Sequence, residues 1–297
     1  MNTDKSDIEM SESMKELRVT LSSGELAIQE WGDNTQPTIV CLHGWLDNSA
    51  TFHRLAPLLA KKYHLLLVDL PGHGMSQPLA DGAHYYIWQN IEILFELLAV
   101  MDLEQVHLLG HSMGGVVASL FSGTFPDKVL SLVLLDSLGP MTSEPKQTPQ
   151  QLAKAIMDSQ RVASSLRTFS SIDDALLARK KSSPTMDDES LRPIVERNLK
   201  TVAGGYCWRT DGRLRHTSKV RLSEEQVIAF LAAITAPVLV IMAEQGIIPK
   251  VWVEKRMESI AGARLVYLPG HHHFHAEPLP AISIAAQIEQ FLSLTSD

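Results

Sequence analysis

Short apolar runs rich in β-branched residues recur along the chain at 38–42, 65–68, 106–109, 129–135, 238–241 and 264–267, each bounded by turn formers, and read as buried strands. Between most of them lie stretches with helical spacing. That alternation predicts parallel strands joined by crossover helices. Two earlier runs, 17–21 and 26–31, flank Ser22-Ser23-Gly24 and predict a leading hairpin. The pattern amounts to about eight strands.

The alternation stops after Asp136 and resumes at Pro237. The intervening pieces 149–167, 171–181 and 189–202 carry helix formers at amphipathic spacing, separated by Ser182-Ser183-Pro184 and Gly204-Gly205. They predict a helical cap over 138–221, inserted into a core made of 1–137 and 222–297. Ser223-Glu224-Glu225-Gln226 has the form of a capping box and predicts a helix over 223–234 that leads back into the sheet. The fold class expected is therefore α/β: a mostly parallel eight-stranded sheet flanked by helices, with an inserted helical cap.

Composition narrows the function more than the fold. A net charge of -8 with no long basic run gives no footprint for a phosphate backbone, so nucleic acid is not an expected partner. Residues 1–16 hold no apolar stretch of the length an export signal needs, and the most apolar window, 91–103, is broken by Glu92, Glu96 and Asp102. No transmembrane segment is expected, and the location expected is cytoplasmic. Cys41 and Cys207 are too few for a disulfide framework and read as free thiols. No cofactor is expected, and the oligomeric state is left open.

The strongest chemical signal is Gly110-His111-Ser112-Met113-Gly114-Gly115, placed between an apolar strand and a helix-like run beginning at Val116. Strand, tight turn and helix are the context of a nucleophile elbow, in which glycines make room for a strained serine. The helix that follows offers its positive end to developing negative charge. A second signal, His43-Gly44-Trp45-Leu46-Asp47-Asn48, follows the strand at 38–42, where the turn at Gly44 frees the N–H of Trp45 as an oxyanion donor beside that of Met113. Equally, Trp45 could be a buried aromatic in a structural loop. Asp69 to Ser76 reads as a turn without catalytic duty.

His43-Gly44, the Asp69 to Ser76 turn, the Ser112 elbow and a late Gly270-His271 together resemble the alpha/beta-hydrolase superfamily. More narrowly, the segments 43–48, 114–117 and 269–275 resemble its serine hydrolase-like subgroup. The resemblance implies a serine, acid and histidine triad at the C-terminal ends of the strands, with the insertion as a lid. It also implies the base: the superfamily's His-x-x-His-x-Glu pattern fits His272, His275 and Glu277, which points to His272, while the simpler Gly-His rule points to His271. A metal site in this histidine cluster lacks companion spacing.

The acid departs from the pattern. The superfamily normally places an aspartate after the strand at 238–241, in a Gly-x-x-Asp turn, but this chain reads Ala243-Glu244-Gln245-Gly246. Asp136, after the preceding strand, is the expected replacement, with Glu244 the alternative. The expected function is a serine hydrolase, a carboxylesterase working by a Ser-His-Asp acyl-enzyme on a small-molecule acyl substrate. Thioester, lactone or carbon–carbon bond hydrolysis on the same triad, or a catalytically weak ligand-binding protein of the same fold, are the other readings.

Overall fold

The structure, a computed structural model, describes residues 14–160 and 167–294. Most of the polar N-terminal segment, and the end of the helix expected over 149–167, lie outside these residues. The strands of the main sheet are β1 (Lys15–Leu21), β2 (Gly24–Trp31), β3 (Thr38–Leu42), β4 (His64–Val68), β5 (Val106–His111), β6 (Val129–Leu135), β9 (Val238–Gln245) and β10 (Arg264–His271), arranged in the order β1-β2-β4-β3-β5-β6-β9-β10. The leading hairpin is antiparallel, and β2 pairs antiparallel with β4; every pairing from β4 to β10 is parallel.

The uninterrupted apolar runs are explained by burial on both faces. Successive side chains of a strand point to opposite sides, so Val40 and Leu42 enter one core layer while Ile39 and Cys41 enter the other. The first layer packs under α2 (Ile87–Val100), α3 (Met113–Thr124), α7 (Glu224–Ala232) and α8 (Lys250–Met257). The second packs under the short α1 (Ala56–Leu59) and the C-terminal α9 (Pro278–Ser293). The capping box forms as the sequence predicts, with the Ser223 side chain accepting from the Gln226 N–H.

The inserted segment holds α4 (Thr148–Ser159), α5 (Ile172–Lys180) and α6 (Asp188–Arg197), followed by a hairpin of β7 (Leu199–Val202) and β8 (Gly205–Trp208). The helix expected over 189–202 therefore ends at Arg197. Gly204 and Gly205, read from sequence as a helix breaker, both adopt positive φ, 86° and 135°, and turn β7 back onto β8. Glycine between two β-prone runs is a hairpin signal, and it outweighs the helical spacing here. Phe169 extends the hairpin through an antiparallel bridge to Tyr206. A small apolar cluster of Phe169, Leu176, Leu191, Ile194 and Leu199 holds the segment together.

Candidate active site

The C-terminal ends of β3, β5, β6, β9 and β10 lie side by side, and the residues just beyond them converge. Ser112 follows β5 with φ 50° and ψ -116°, a conformation unfavourable for any side-chain-bearing residue. Its N–H donates to the Leu135 carbonyl of β6, and its own carbonyl accepts from Ser137 Oγ at 2.7 Å. The glycines around it are required by contact: a Cβ on Gly114 would lie 2.0 Å from the Leu42 carbonyl oxygen, and one on Gly110 would lie 2.5 Å from Gly115. The sequence thus folds into an elbow because nothing larger fits beside it.

His272 stands just past β10 and meets both expected partners. Its Nδ1–H donates to Asp136 Oδ2 at 2.5 Å, and its Nε2 accepts from the Ser112 hydroxyl at 2.9 Å. Asp136, at the end of β6, is fully buried and also sits at positive φ, 43°. Its carboxylate is held from the far side by the Ala243 N–H at 3.2 Å. Glu244 is exposed, and His271 is the last residue of β10, paired with Gln245. Neither is part of the chain of hydrogen bonds through Ser112. Gly246 occupies the position where the family pattern has its aspartate, and a Cβ there would lie 2.2 Å from Asp136 Oδ1. The carboxylate of Asp136 fills the space that a side chain at 246 would take.

Of the two expected oxyanion donors, Met113 directly follows Ser112 in the chain and Trp45 lines the same cavity as Ser112. Met113 is the first residue of α3, so its N–H has no acceptor within the helix. Trp45 lies in a tight turn closed by the Asp47 N–H on the Gly44 carbonyl, with Leu46 at φ 61°. Its ring is not buried: it is 51% exposed and its Nε1–H donates to the Leu214 carbonyl of the inserted segment. His43 locks this turn to the neighbouring loop. The Leu70 N–H donates to its Nε2, which leaves the proton on Nδ1 to donate to the Gly44 carbonyl at 2.7 Å. Burial lowers its pKa and keeps it neutral.

Two cavities meet at Ser112 and Ile247. The first, of about 580 Å³, has a mixed lining in which Asp47, Arg179, Lys181, Arg215, His272 and His273 stand beside Trp45, Phe169 and Trp208. The second, of about 350 Å³, is mainly apolar, with Ile87, Trp88, Met113, Val116, Met141 and Trp252 in its wall. Residues of the inserted segment line both.

The family model described as the alpha/beta hydrolase fold matches residues 37–275. The chain belongs to the alpha/beta-hydrolase family. Among similar alpha/beta hydrolases, a serine hydrolase-like protein of Danio rerio is 29% identical, over 92% of this chain and 87% of that one. Serine hydrolase-like protein 2 of Homo sapiens is also 29% identical, over 95% of each chain. The crystal structure of a hypothetical protein from Pseudomonas aeruginosa PAO1 superimposes with a TM-score of 0.87 at 32% identity, over 94% of this chain and 99% of that one. These likenesses make the chain an alpha/beta hydrolase with serine hydrolase-like relatives. No helix among the described residues is long and apolar enough to cross a membrane.

Sequence reasoning missed a second carboxylate–histidine pair. Asp47, buried beside the Trp45 turn, accepts from His273 Nε2 at 3.1 Å and from Arg179 Nη2 of α5 at 2.6 Å. Burial opposes its ionisation, but His273 and Arg179 outweigh that and hold its carboxyl well below the usual range. His111 was also missed: its Nε2–H donates to the His272 carbonyl at 2.9 Å, which fixes the backbone that carries the imidazole. The neighbouring Asp69 shows what a structural aspartate looks like here. It accepts from the N–H groups of Ser49 and Met75 and from Arg197, and faces no cavity residue named above.

Proposed function

We propose that this alpha/beta hydrolase is a serine carboxylesterase in which Ser112, His272 and Asp136 form the triad, with the N–H groups of Trp45 and Met113 as the oxyanion hole. The observation that carries the reading is the unbroken line from Asp136 Oδ2 through both nitrogens of His272 to Ser112 Oγ, at 2.5 and 2.9 Å, on a serine held in elbow geometry. The buried carboxylate keeps the imidazole proton on Nδ1, so Nε2 is free to take the hydroxyl proton as Oγ attacks the ester carbonyl. The oxyanion that forms faces the two backbone donors. The bond to the leaving alcohol then breaks, and the alcohol takes the proton from His272 Nε2. Water enters, gives a proton to Nε2 and its oxygen to the acyl carbon, and Ser112 Oγ recovers the proton as the carboxylic acid leaves.

In the same reading, residues 138–221 act as a lid over the core made of 1–137 and 222–297. The lid is positioned by polar ties, Trp45 to Leu214 and Asp47 to Arg179, beside the reacting serine. A serine nucleophile disfavours the dehalogenase and epoxide-hydrolase chemistries that need an attacking carboxylate. The test is labelling by a fluorophosphonate probe together with hydrolysis of short acyl esters. Ser112→Ala is expected to abolish labelling and lower kcat by roughly 10⁴ to 10⁶. A variant that retained more than about a tenth of the rate would remove Ser112 from the mechanism.

A further inference from the structure

Building on the acyl-enzyme reading above, we infer that the two cavities meeting at Ser112 divide the substrate: an apolar acyl chain lies in the second cavity, and the leaving alcohol, carrying an anionic carboxylate or phosphate, lies in the first.

The direction of the division follows from the base. The leaving oxygen must receive its proton from His272 Nε2, so the leaving group has to lie on the side of Ser112 that His272 faces. His272 lines the first cavity and not the second. The acyl chain is then directed past Met113 into the second cavity, where Ile87, Trp88, Val116, Met141 and Trp252 offer apolar surface. Its two cations do not alter that character: Arg256 is neutralised by both oxygens of Glu224, and Arg221 sits exposed at the rim.

The leaving group's charge follows from what lines the first cavity. The protein carries a net charge of -8, yet this cavity has Arg167, Arg179, Lys181 and Arg215 against a single carboxylate, Asp47. Asp47 is already bonded by Arg179 and His273. Arg167 lies over the Phe169 ring at 5.0 Å and adds to the hydrogen bond from Ser170 that holds the Asp174 carboxyl low, while Lys181 and Arg215 are exposed with no carboxylate bonded to them among the described residues. A cleft of one sign in a protein of the opposite sign concentrates counter-charged ligands. Each cation is wet and acts weakly alone, so the expected preference is about tenfold and sensitive to salt.

The experiment compares kcat/KM for para-nitrophenyl octanoate with that for the octanoate ester of a carboxylated nitrophenol, and for octanoyl glycerol with that for octanoyl glycerol phosphate. The wild-type enzyme is expected to favour the charged member of at least one pair by about tenfold, and to lose that preference as ionic strength rises. The pair with the larger ratio identifies the anion. In Lys181→Ala/Arg215→Ala the ratio is expected to fall toward one. Lengthening the acyl chain is expected to raise kcat/KM about fourfold per methylene until the second cavity is filled. Equal rates within both pairs, a preference that salt does not reduce, or a ratio kept by the double variant would each overturn the inference. So would faster hydrolysis when the carboxylate is moved to the far end of the acyl chain. Turnover of the neutral esters by Ser112→Ala would instead defeat the acyl-enzyme reading itself, a separate result.

Discussion

Consecutive histidines, His272 and His273, each meet a buried aspartate, and the two pairs do different things. His272 joins Asp136 to a serine hydroxyl; His273 meets no hydroxyl in the hydrogen bonds of the described residues, and the other oxygen of its partner Asp47 is held by Arg179. In the first pair the second imidazole nitrogen is left for chemistry. In the second, a cation from the inserted segment turns the pair into a fastener between that segment and the turn bearing Trp45. A carboxylate beside an imidazole therefore does not by itself mark a base. The third partner decides.

The same substitution at both aspartates breaks the comparison open. Asp136→Asn is expected to cut kcat by roughly 10³ to 10⁴, since the imidazole loses its fixed tautomer and the partner for its charge, whereas Glu244→Gln leaves the rate near wild type. Steady-state kinetics on one ester reads both, and the reverse order would place the acid on the neighbouring strand. Gly246→Ala comes next. Its Cβ would press on Asp136 Oδ1 and shift the carboxylate, for an expected loss of about 10²-fold in kcat with an unchanged probe-labelling site. An active Gly246→Ala would show that the carboxylate has room to spare.

Asp47→Asn is expected to change kcat by less than about tenfold but to destabilise the fold by about 3 kcal/mol, the low end of the range for breaking a buried pair because Arg179 is partly exposed. A thermal melt that moved less for Asp47→Asn than for Asp136→Asn would undo the distinction between fastener and base. The smallest effect concerns the histidines beside these pairs. Burial first, then neighbouring histidines, hold His111 and His275 well below their usual range. Below about pH 6.5 the unfolded chain therefore binds more protons than the folded one, so their stability contribution is complete above that pH and is lost as pH falls. The thermal midpoint is expected to drop from pH 7 to pH 5, and His275→Gln is expected to make the drop shallower. An unchanged slope in that variant would mean that His275 is not held neutral.

Most of the frame was legible because it depends on local rules: β3 and β6 end where the apolar runs end, and the elbow announces itself through glycines that contact alone requires. The gaps have physical reasons. The β7–β8 hairpin hides behind a helical rhythm because two glycines can stop a helix or turn a ribbon, and only the partner strand distinguishes them. Asp47 and Arg179 are separated by 132 positions, and a contact of that span leaves no trace in spacing. In the sequence, the preference for Asp136 over Glu244 rests on the missing aspartate at Gly246; the space beside Gly246 that the Asp136 carboxylate fills is invisible until the strands stand next to each other.

The space shared by Asp136 and Gly246 has a consequence for where the acid can stand. Positions 136 and 246 are two doors to a single seat: a Cβ at 246 would stand only 2.2 Å from Asp136 Oδ1, so one occupant crowds out the other. On the triad reading, moving the acid from 136 to 246 therefore requires both positions to change together. Asp136→Gly together with Gly246→Asp should make that move, and recovering rate in the double variant above either single one would show that the seat, rather than the strand, is what the imidazole requires.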